Sequence, residues 1–381
     1  MNEMVSLTGE PAGAVSLREA CPTEVEAWDT LVARFDNHRV VHTRAWIRSL
    51  EASGCGRSLF LVFEKSGSIV GCLPGLLVNL GPIKLFGSPL PGWQTVSMGP
   101  AFDPARLSTV EMFTALVPYL ERRHGVHHME VLSHSLDHES MRMLGFRGEP
   151  MPTYRARLFP GDEARTLRGF KESARRNIRR ATDLGLVVRF EEDEGFVEEH
   201  YDQIKEVFHR GGNAVPFGRK RVLECFHHMR TAGHLAAISV YLPDGKTNIA
   251  TGLFTLEGKE LLLWMWTHRV QHRWYRPTEL MTWTVMKRAL DRGCEVVDFM
   301  GRGDFKAKFG AALDTSKYRW VRSRYRWLTT ARDLTERGYR WQQVARGRLA
   351  ALASRMTNAS AGASPGAPVP KQDHLASSSK L

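Results

Sequence analysis

Residues 235–267 read LAAISVYLPDGKTNIATGLFTLEGKELLLWMWT. Three apolar runs, Leu235–Leu242, Thr247–Leu256 and Leu261–Thr267, are separated by Pro243-Asp244-Gly245-Lys246 and Glu257-Gly258-Lys259. Runs of that length, broken by Gly- and Asp-containing turns, predict an antiparallel meander. Downstream, a basic loop from Arg269 to Pro277 leads into a helix expected over Thr278–Arg292, with Thr278 as N-cap and Gly293 just past its end. A strand over Glu295–Phe299 then meets Met300-Gly301-Arg302-Gly303-Asp304, and Phe305–Gly310 follows. Strand-like Tyr318–Leu328 and a last helix near Ala331–Ala351 end the half. Upstream of the meander, helical periodicity covers Leu167–Leu184 and Phe196–Arg210.

The first half repeats this grammar. Glu24–Phe35 is amphipathic behind Thr23 as N-cap, and a helix over Thr43–Ala52 carries Trp46, Ile47 and Leu50 on one side. A hairpin of Leu59–Phe63 and Ile69–Val78 follows, then a Gly- and Pro-punctuated stretch and a helix near Pro104–Arg123. Strand Met129–Ser133, a short helix ending at Leu144-Gly145-Phe146, and strand Tyr154–Phe159 complete it. The pattern predicts an α/β (α+β) chain of two tandem modules, each a mixed, mainly antiparallel sheet flanked by helices. The expected divisions are a flexible 1–16, a first module over 17–160, a second over 161–330, a helix over 331–352 and a disordered tail over 353–381.

With 381 residues, 43% of them hydrophobic and 25% charged, the chain is long enough for two real cores. It has no apolar run of membrane-spanning length and no signal-peptide pattern at its start, so a cytoplasmic protein is expected. Five cysteines without a CxxC pair fit a reduced compartment and no structural zinc. The net charge of +12 is unevenly spread: residues 1–150 carry 13 basic and 16 acidic side chains, whereas residues 301–350 carry 13 and 4. The positive excess is therefore local, which argues against bulk nucleic-acid binding. No nucleophile elbow, P-loop or nucleic-acid-binding module is present.

Several strings carry a resemblance. Trp28-Asp29-Thr30-Leu31-Val32 with His42-Thr43-Arg44-Ala45-Trp46, and Arg175-Arg176-Asn177-Ile178-Arg179-Arg180-Ala181, are two of them. A third is Asp298-Phe299-Met300-Gly301-Arg302-Gly303-Asp304 followed by Phe305-Lys306-Ala307-Lys308-Phe309-Gly310. In these strings and in the order of elements over residues 20–330, the chain resembles the Fem-like N-acyltransferases of the GNAT superfamily. The resemblance implies two GNAT-like modules, the first degenerate and the second catalytic. It implies acyl transfer from acyl-CoA, as co-substrate and not as a permanently bound cofactor, to an amino group of a cell-envelope or exopolysaccharide precursor. An aminoacyl-tRNA donor and a non-catalytic accessory role in polysaccharide synthesis are the alternatives; tRNA is not the favoured partner. The acceptor would be a small-molecule or lipid-linked amine, with peripheral contact at the inner membrane surface. One departure is plain: the loop Gln271-His272-Arg273-Trp274-Tyr275-Arg276-Pro277 lacks the glycines of a pyrophosphate-binding loop.

Within that frame, the free N–H groups of the helix starting at Thr278, with Arg273 and Arg276, form the expected phosphate contacts of the donor. Amine acylation needs a base, and Asp298 or Asp304 supplies a carboxylate for it. Asp298, ending an apolar strand, must be paired if buried, with Arg302 or a lysine as the expected partner. Negative charge developing on the carbonyl oxygen calls for a fixed cation. The resemblance assigns this to Lys306, with the Phe305 ring holding its ammonium group. Lys308 is the further phosphate contact. Trp264 and Trp266, two apart on one strand, would share a face lining the acceptor cleft with Arg302. Arginines 175, 176, 179 and 180 crowd one helix, with Glu191-Glu192-Asp193-Glu194 as the expected counter-charge. His124, His127, His128, His134 and His138 have no metal-site spacing, so no metal is expected. Neither Cys225 nor Cys294 has a paired base, so direct attack without a covalent intermediate is expected.

Overall fold

The computed structural model describes residues 13–338, which divide into two compact units. The first contains strands Val15–Glu19 (β1), Arg57–Lys65 (β2), Ser68–Leu80 (β3), Ile83–Ser88 (β4), Ala101–Phe102 (β5), His128–Ser133 (β6) and Arg147–Pro150 (β7). Its helices are Pro22–Glu26 (α1), Trp28–Val32 (α2), Arg44–Ala52 (α3), Thr109–Arg123 (α4) and His138–Met143 (α5). The sheet runs β1-β2-β3-β4-β6, antiparallel except where β4 meets β6, and β5 adds to β3. Ser108 and Glu111 form a capping box at the start of α4. That helix lays Met112, Phe113, Leu116 and Leu120 on the core built by Leu59, Leu61, Phe63, Phe86 and Val131.

The second unit contains Thr153–Arg157 (β8), Val187–Phe190 (β9), Leu235–Tyr241 (β10), Asn248–Glu257 (β11), Glu260–His268 (β12), Val296–Asp298 (β13) and Ala312–Asp314 (β14). Its sheet order is β14-β8-β13-β12-β11-β10-β9. The predicted meander is β10-β11-β12, and β12 pairs with β13 in parallel, its connection being a helix. Glu163–Arg168 (α6), Glu172–Asp183 (α7), Gly195–Arg210 (α8), Arg219–Thr231 (α9) and Pro277–Asp291 (α10) are its α-helices before residue 325. Residues 326–338 are helical as well. Phe170, Ile178, Leu280, Met281 and Trp283, on and beside α7 and α10, share one core with Ile238, Val240 and Phe254 of the sheet.

Two strands lie elsewhere than the sequence reading expected. The strand expected to finish the first module is β8, and it pairs with β13 and β14 of the second sheet. Tyr318–Ser323 (β15), expected in the second module, lies between β6 and β7 in the first sheet. Alternation makes a segment a strand; it does not choose the neighbour. Trp320 of β15 is wholly buried in the first core and lies against Gly148, where an added Cβ would stand 2.6 Å from its ring.

Smaller differences have local causes. The helix expected over Leu167–Leu184 breaks into α6 and α7 around Gly169, against whose carbonyl oxygen Gly310 packs closely. Gly310 itself holds φ 75°, so both its space and its backbone exclude a side chain. The first-half amphipathic stretch is two short helices, α1 and α2, with Cys21 and not Thr23 at the first N-cap. Helix α9, whose Val222, Cys225, Phe226 and Met229 recur at helical spacing, and strand β9 were not among the expected elements. The last expected helix is described only to residue 338, and the expected disordered tail over 353–381 lies outside the described residues.

Candidate active site

The ladder between β12 and β13 is short: Glu260 faces Val296, Leu261 faces Val297, and Leu262 faces Asp298. Beyond Leu262 the strand β12 runs on to His268, whereas β13 ends at Asp298. No described strand pairs with that edge of β12 past Leu262, so its backbone donors and acceptors face an opening in the sheet. Trp266 lies on this stretch. Its ring is 5.8 Å from Phe299 and 5.8 Å from Phe305, so both rings after β13 approach the strand at the opening.

The two expected substrate-facing tryptophans do not act together. A register shift in the β11–β12 pairing places two positions of β12, Leu263 and Trp264, against the single Phe254 of β11, and this one extra residue reverses the side-chain alternation. Trp266 packs with Phe254 and Phe299, whereas Trp264 is buried beneath the Arg221 guanidinium of α9 at 4.9 Å. Spacing alone would have put them on one face.

The segment after β13 is tied to itself. Asp298 is fully buried, and its Oδ1 accepts from the Thr153 hydroxyl at 2.6 Å and from the Met300 backbone N–H at 2.8 Å. The expected partner Arg302 is exposed instead. Met300 and Gly301 have left-handed φ values of 52° and 55°, which turn the carbonyls of the loop inward. The buried Lys306 ammonium donates to the carbonyl oxygens of Met300, Gly301 and Arg302. Its distance to the Phe305 ring centroid is 5.9 Å, at the outer edge of a cation–π contact, so loop carbonyls and not the ring hold it. Asp304 is exposed and accepts from the Tyr154 hydroxyl at 2.9 Å. That hydrogen bond to the carboxylate, with some burial, raises the tyrosine's pKa.

Helix α10 begins one residue earlier than expected. Pro277 takes its first position and Arg276, with φ 62°, is the N-cap, so Thr278 lies inside the first turn. Thr278 Oγ1 is 3.3 Å from Nδ1 of His268, and burial lowers the histidine's pKa. Glu279 is buried in the same turn, where Lys308 donates to it at 2.8 Å and Asn177 of α7 at 2.9 Å. Burial pushes the Glu279 carboxyl up, but the Lys308 charge and the hydrogen bonds outweigh it and hold the group below its ordinary value. Lys308 is thereby an ion-pair partner of the helix's own first turn. Sequence reasoning passed over His268, Glu279, Asn177 and Tyr154. An acid in a first helical turn reads as an ordinary dipole complement, and the others have no local pattern.

Arg273, Arg276, Arg176, Arg179 and Arg180 are exposed, and among the described residues none of them forms an ion pair. Trp274 is 46% exposed, stacks on Tyr275 at 3.7 Å and lies 5.8 Å from the Arg180 guanidinium. The acidic run expected to neutralise these arginines is engaged elsewhere: Glu194 meets Arg219 and His227, and Glu191 accepts from Tyr241. Adjacent acids in sequence thus take different partners, a cation for Glu194 and a hydroxyl for Glu191, according to what the tertiary fold brings near.

Burial pushes the Cys225 and Cys294 thiols up to about 11, which removes a thiolate nucleophile at neutral pH. Among the described residues no group of three His, Cys, Asp or Glu side chains converges on a metal-sized space.

Residues 168–309, from the last residue of α6 to Phe309, match the family model of the acetyltransferase (GNAT) domain. Those residues form a GNAT acetyltransferase domain. A structure of FemX aligns with 80% of this chain and 96% of its own at 13% identity, with a TM-score of 0.64, which shows a Fem-like GNAT fold over both units. L-PGS from Bacillus licheniformis aligns at 10% identity over 89% of this chain and 98% of its own, TM-score 0.49. A tandem GNAT protein from the clavulanic acid biosynthesis pathway aligns at 14% identity over 82% and 99%, TM-score 0.48. No curated protein matches the chain by sequence. The GNAT domain thus contains the β12–β13 opening, the start of α10 and the Asp298–Phe309 segment within one matched region.

Proposed function

We propose that the chain is a cytoplasmic N-acyltransferase that moves an acyl group from acyl-CoA to an amino group of a cell-envelope or exopolysaccharide precursor. The observation that carries this reading is the opening beside β12. An extended amide-bearing arm, such as that of coenzyme A, fits an unpaired strand edge because it supplies the missing hydrogen-bond partners. At the end of that edge stand the first turn of α10 and the exposed Arg273 and Arg276, suited to the donor's phosphates. Trp266 and Phe305 border the same opening and would flank the thioester.

In the reaction the acceptor nitrogen bonds to the acyl carbon, the carbon–sulfur bond breaks, and the amine's proton ends on the departing thiolate. Asp304, exposed and joined to Tyr154, is the carboxylate proposed to accept the proton first. Lys306 is proposed as a positioning residue that fixes the 300–302 loop. Asp298 does the same from beneath. Calorimetry tests the reading: coenzyme A should bind, Arg276→Ala should weaken it, and absence of binding sinks the acyl-CoA donor.

A second reading keeps the fold and takes the acyl group from aminoacyl-tRNA. It is favoured by the glycine-free loop 271–277 and by the unneutralised arginines around the exposed Trp274. Saturable binding of charged tRNA with a steep salt dependence, and none of coenzyme A, would select it. If Asp304→Asn leaves acceptor modification in cells unchanged, a non-catalytic accessory role replaces both.

A further inference from the structure

The helix over residues 326–338 is turned inside out. Its half-buried and buried positions are Leu328, Thr329, Arg332, Asp333 and Glu336. Arg332 donates to Asp333 at 3.2 Å and to Glu336 at 3.4 Å, so charged groups occupy the inner side. Leu328 is buried, but two other large apolar side chains face out: Trp327 is 57% exposed and Leu334 59%. At about 100° per residue, Trp327, Ala331 and Leu334 fall within about 40° of one line, opposite the ion-pairing residues. Arg326 and Arg337 flank this stripe, both exposed, and among the described residues neither forms an ion pair. Tyr325, 43% exposed, immediately precedes the helix. In the sequence Trp341 follows Leu334 at the same seven-residue spacing as Leu334 follows Trp327.

We propose that this helix docks the protein in the plane of an anionic lipid surface, Trp327 and Leu334 entering the interface and Arg326 and Arg337 meeting lipid phosphates. Leaving a Trp and a Leu in water forgoes the burial that amphipathic helices ordinarily obtain from their own core. A bilayer interface takes indole and leucine side chains together with flanking arginines, each into the region that suits it. Charge decides between occupants. A second copy would bring the same unpaired arginines against these and repel, in a chain whose net charge is +12. A nucleic acid would satisfy the arginines but leave the Trp327–Leu334 stripe wet. No helix of the described residues is long and apolar enough to cross a membrane, so the contact is peripheral. The inference deepens the proposed acyl transfer by placing the enzyme where a lipid-linked amine would be presented. It is measured without any acyl donor, so the two can fail separately.

Co-sedimentation of the full chain with vesicles tests it. Vesicles of phosphatidylcholine mixed with phosphatidylglycerol should bind the protein, and phosphatidylcholine alone should bind it far less. W327S/L334S should weaken binding on the order of tenfold, with an unchanged circular dichroism spectrum, because both side chains are exposed. R326E/R337E should abolish the preference for phosphatidylglycerol and provides a second variant that leaves the apolar stripe intact. The proposal is overturned if the wild-type chain stays in solution with the mixed vesicles, or if W327S/L334S binds them as well as wild type. It is equally overturned if that variant only converts a dimer to a monomer.

Discussion

The Asp298 carboxylate and the Thr153 hydroxyl meet at 2.6 Å, joining strands β13 and β8 from positions 145 residues apart. Both groups are wholly buried, so their hydrogen-bond partners must come from within the protein. The same Asp298 oxygen orders the Met300 N–H and so starts the left-handed turn beside the opening in the sheet.

Removing the hydroxyl isolates that relationship. Thr153→Val keeps the side-chain volume but deprives a buried carboxylate of one donor, at a cost of about 1–3 kcal/mol. Urea denaturation should show the transition of the second unit moved to lower concentration. An unchanged midpoint would mean that the Met300 N–H suffices.

Lys306 offers a sharper version. Lys306→Met keeps most of the stem but leaves three loop carbonyls without their shared donor, in a segment already holding left-handed residues. A loss of about 1–3 kcal/mol is expected. If Lys306 acts through the loop, coenzyme A affinity should fall in Lys306→Met and recover in part in Lys306→Arg. Full affinity in Lys306→Met would separate the loop from the donor site.

The Glu279–Lys308 pair gives a pH signature. The Glu279 pKa is lowered in the fold, so the carboxylate's stabilisation is present above its ordinary value of 4.5 and is lost as pH falls through the lower folded value. Glu279→Gln should therefore cost most near neutral pH, about 2 kcal/mol for a hydrogen bond between charged groups. The difference from wild type should shrink below pH 4.5. Thermal unfolding of the two proteins side by side measures it.

Two buried histidines, one in each unit, act at higher pH. Burial lowers His42 and His200 from 6.5 to about 3, so both stay neutral in the fold while the unfolded chain takes up protons. Stability is full above pH 6.5 and falls below it, by about 1.4 kcal/mol per pH unit for each histidine. His200 is held by Thr251 at 2.9 Å and stacks on Phe196. His200→Gln should remove one proton from the pH dependence of the second unit between pH 6.5 and 5, and leave the first unit's dependence in place.

The exchange of strands makes truncation informative. A chain ending at Ser316 lacks β15 and with it Trp320, together with the Arg319 guanidinium that pairs with buried Glu130 at 2.8 Å. Breaking the buried Arg319–Glu130 pair costs about 3–5 kcal/mol, and loss of the Trp320 side chain adds a similar amount. The first unit should lose its cooperative transition. A persistent one would show that β7 can close directly on β6.

Much of the second unit was legible from the chain. The meander was written in two Gly-containing turns between apolar runs, and α10 in its periodicity and in Gly293, whose φ of 79° ends it. The order of elements and the Gly-Arg-Gly-Asp and Phe-Lys-Ala-Lys-Phe-Gly strings pointed to the GNAT fold now seen. The site was legible only as a neighbourhood. Trp264 lies under Arg221 of α9, Lys306 serves the loop, and Lys308 serves Glu279. Which atom a lysine donates to depends on what the fold places within about 3 Å, and no local pattern encodes that.

By itself, then, the sequence determined most of the elements, their order and the superfamily, because turns, caps and periodicity act over a few residues and cost or stabilise locally. Tertiary structure decided the exchange of β8 and β15, the faces of Trp264 and Trp266, and the partners of every buried charge. Those are settled by long-range pairing, in which a strand or a charge takes whichever neighbour best satisfies its buried polar groups.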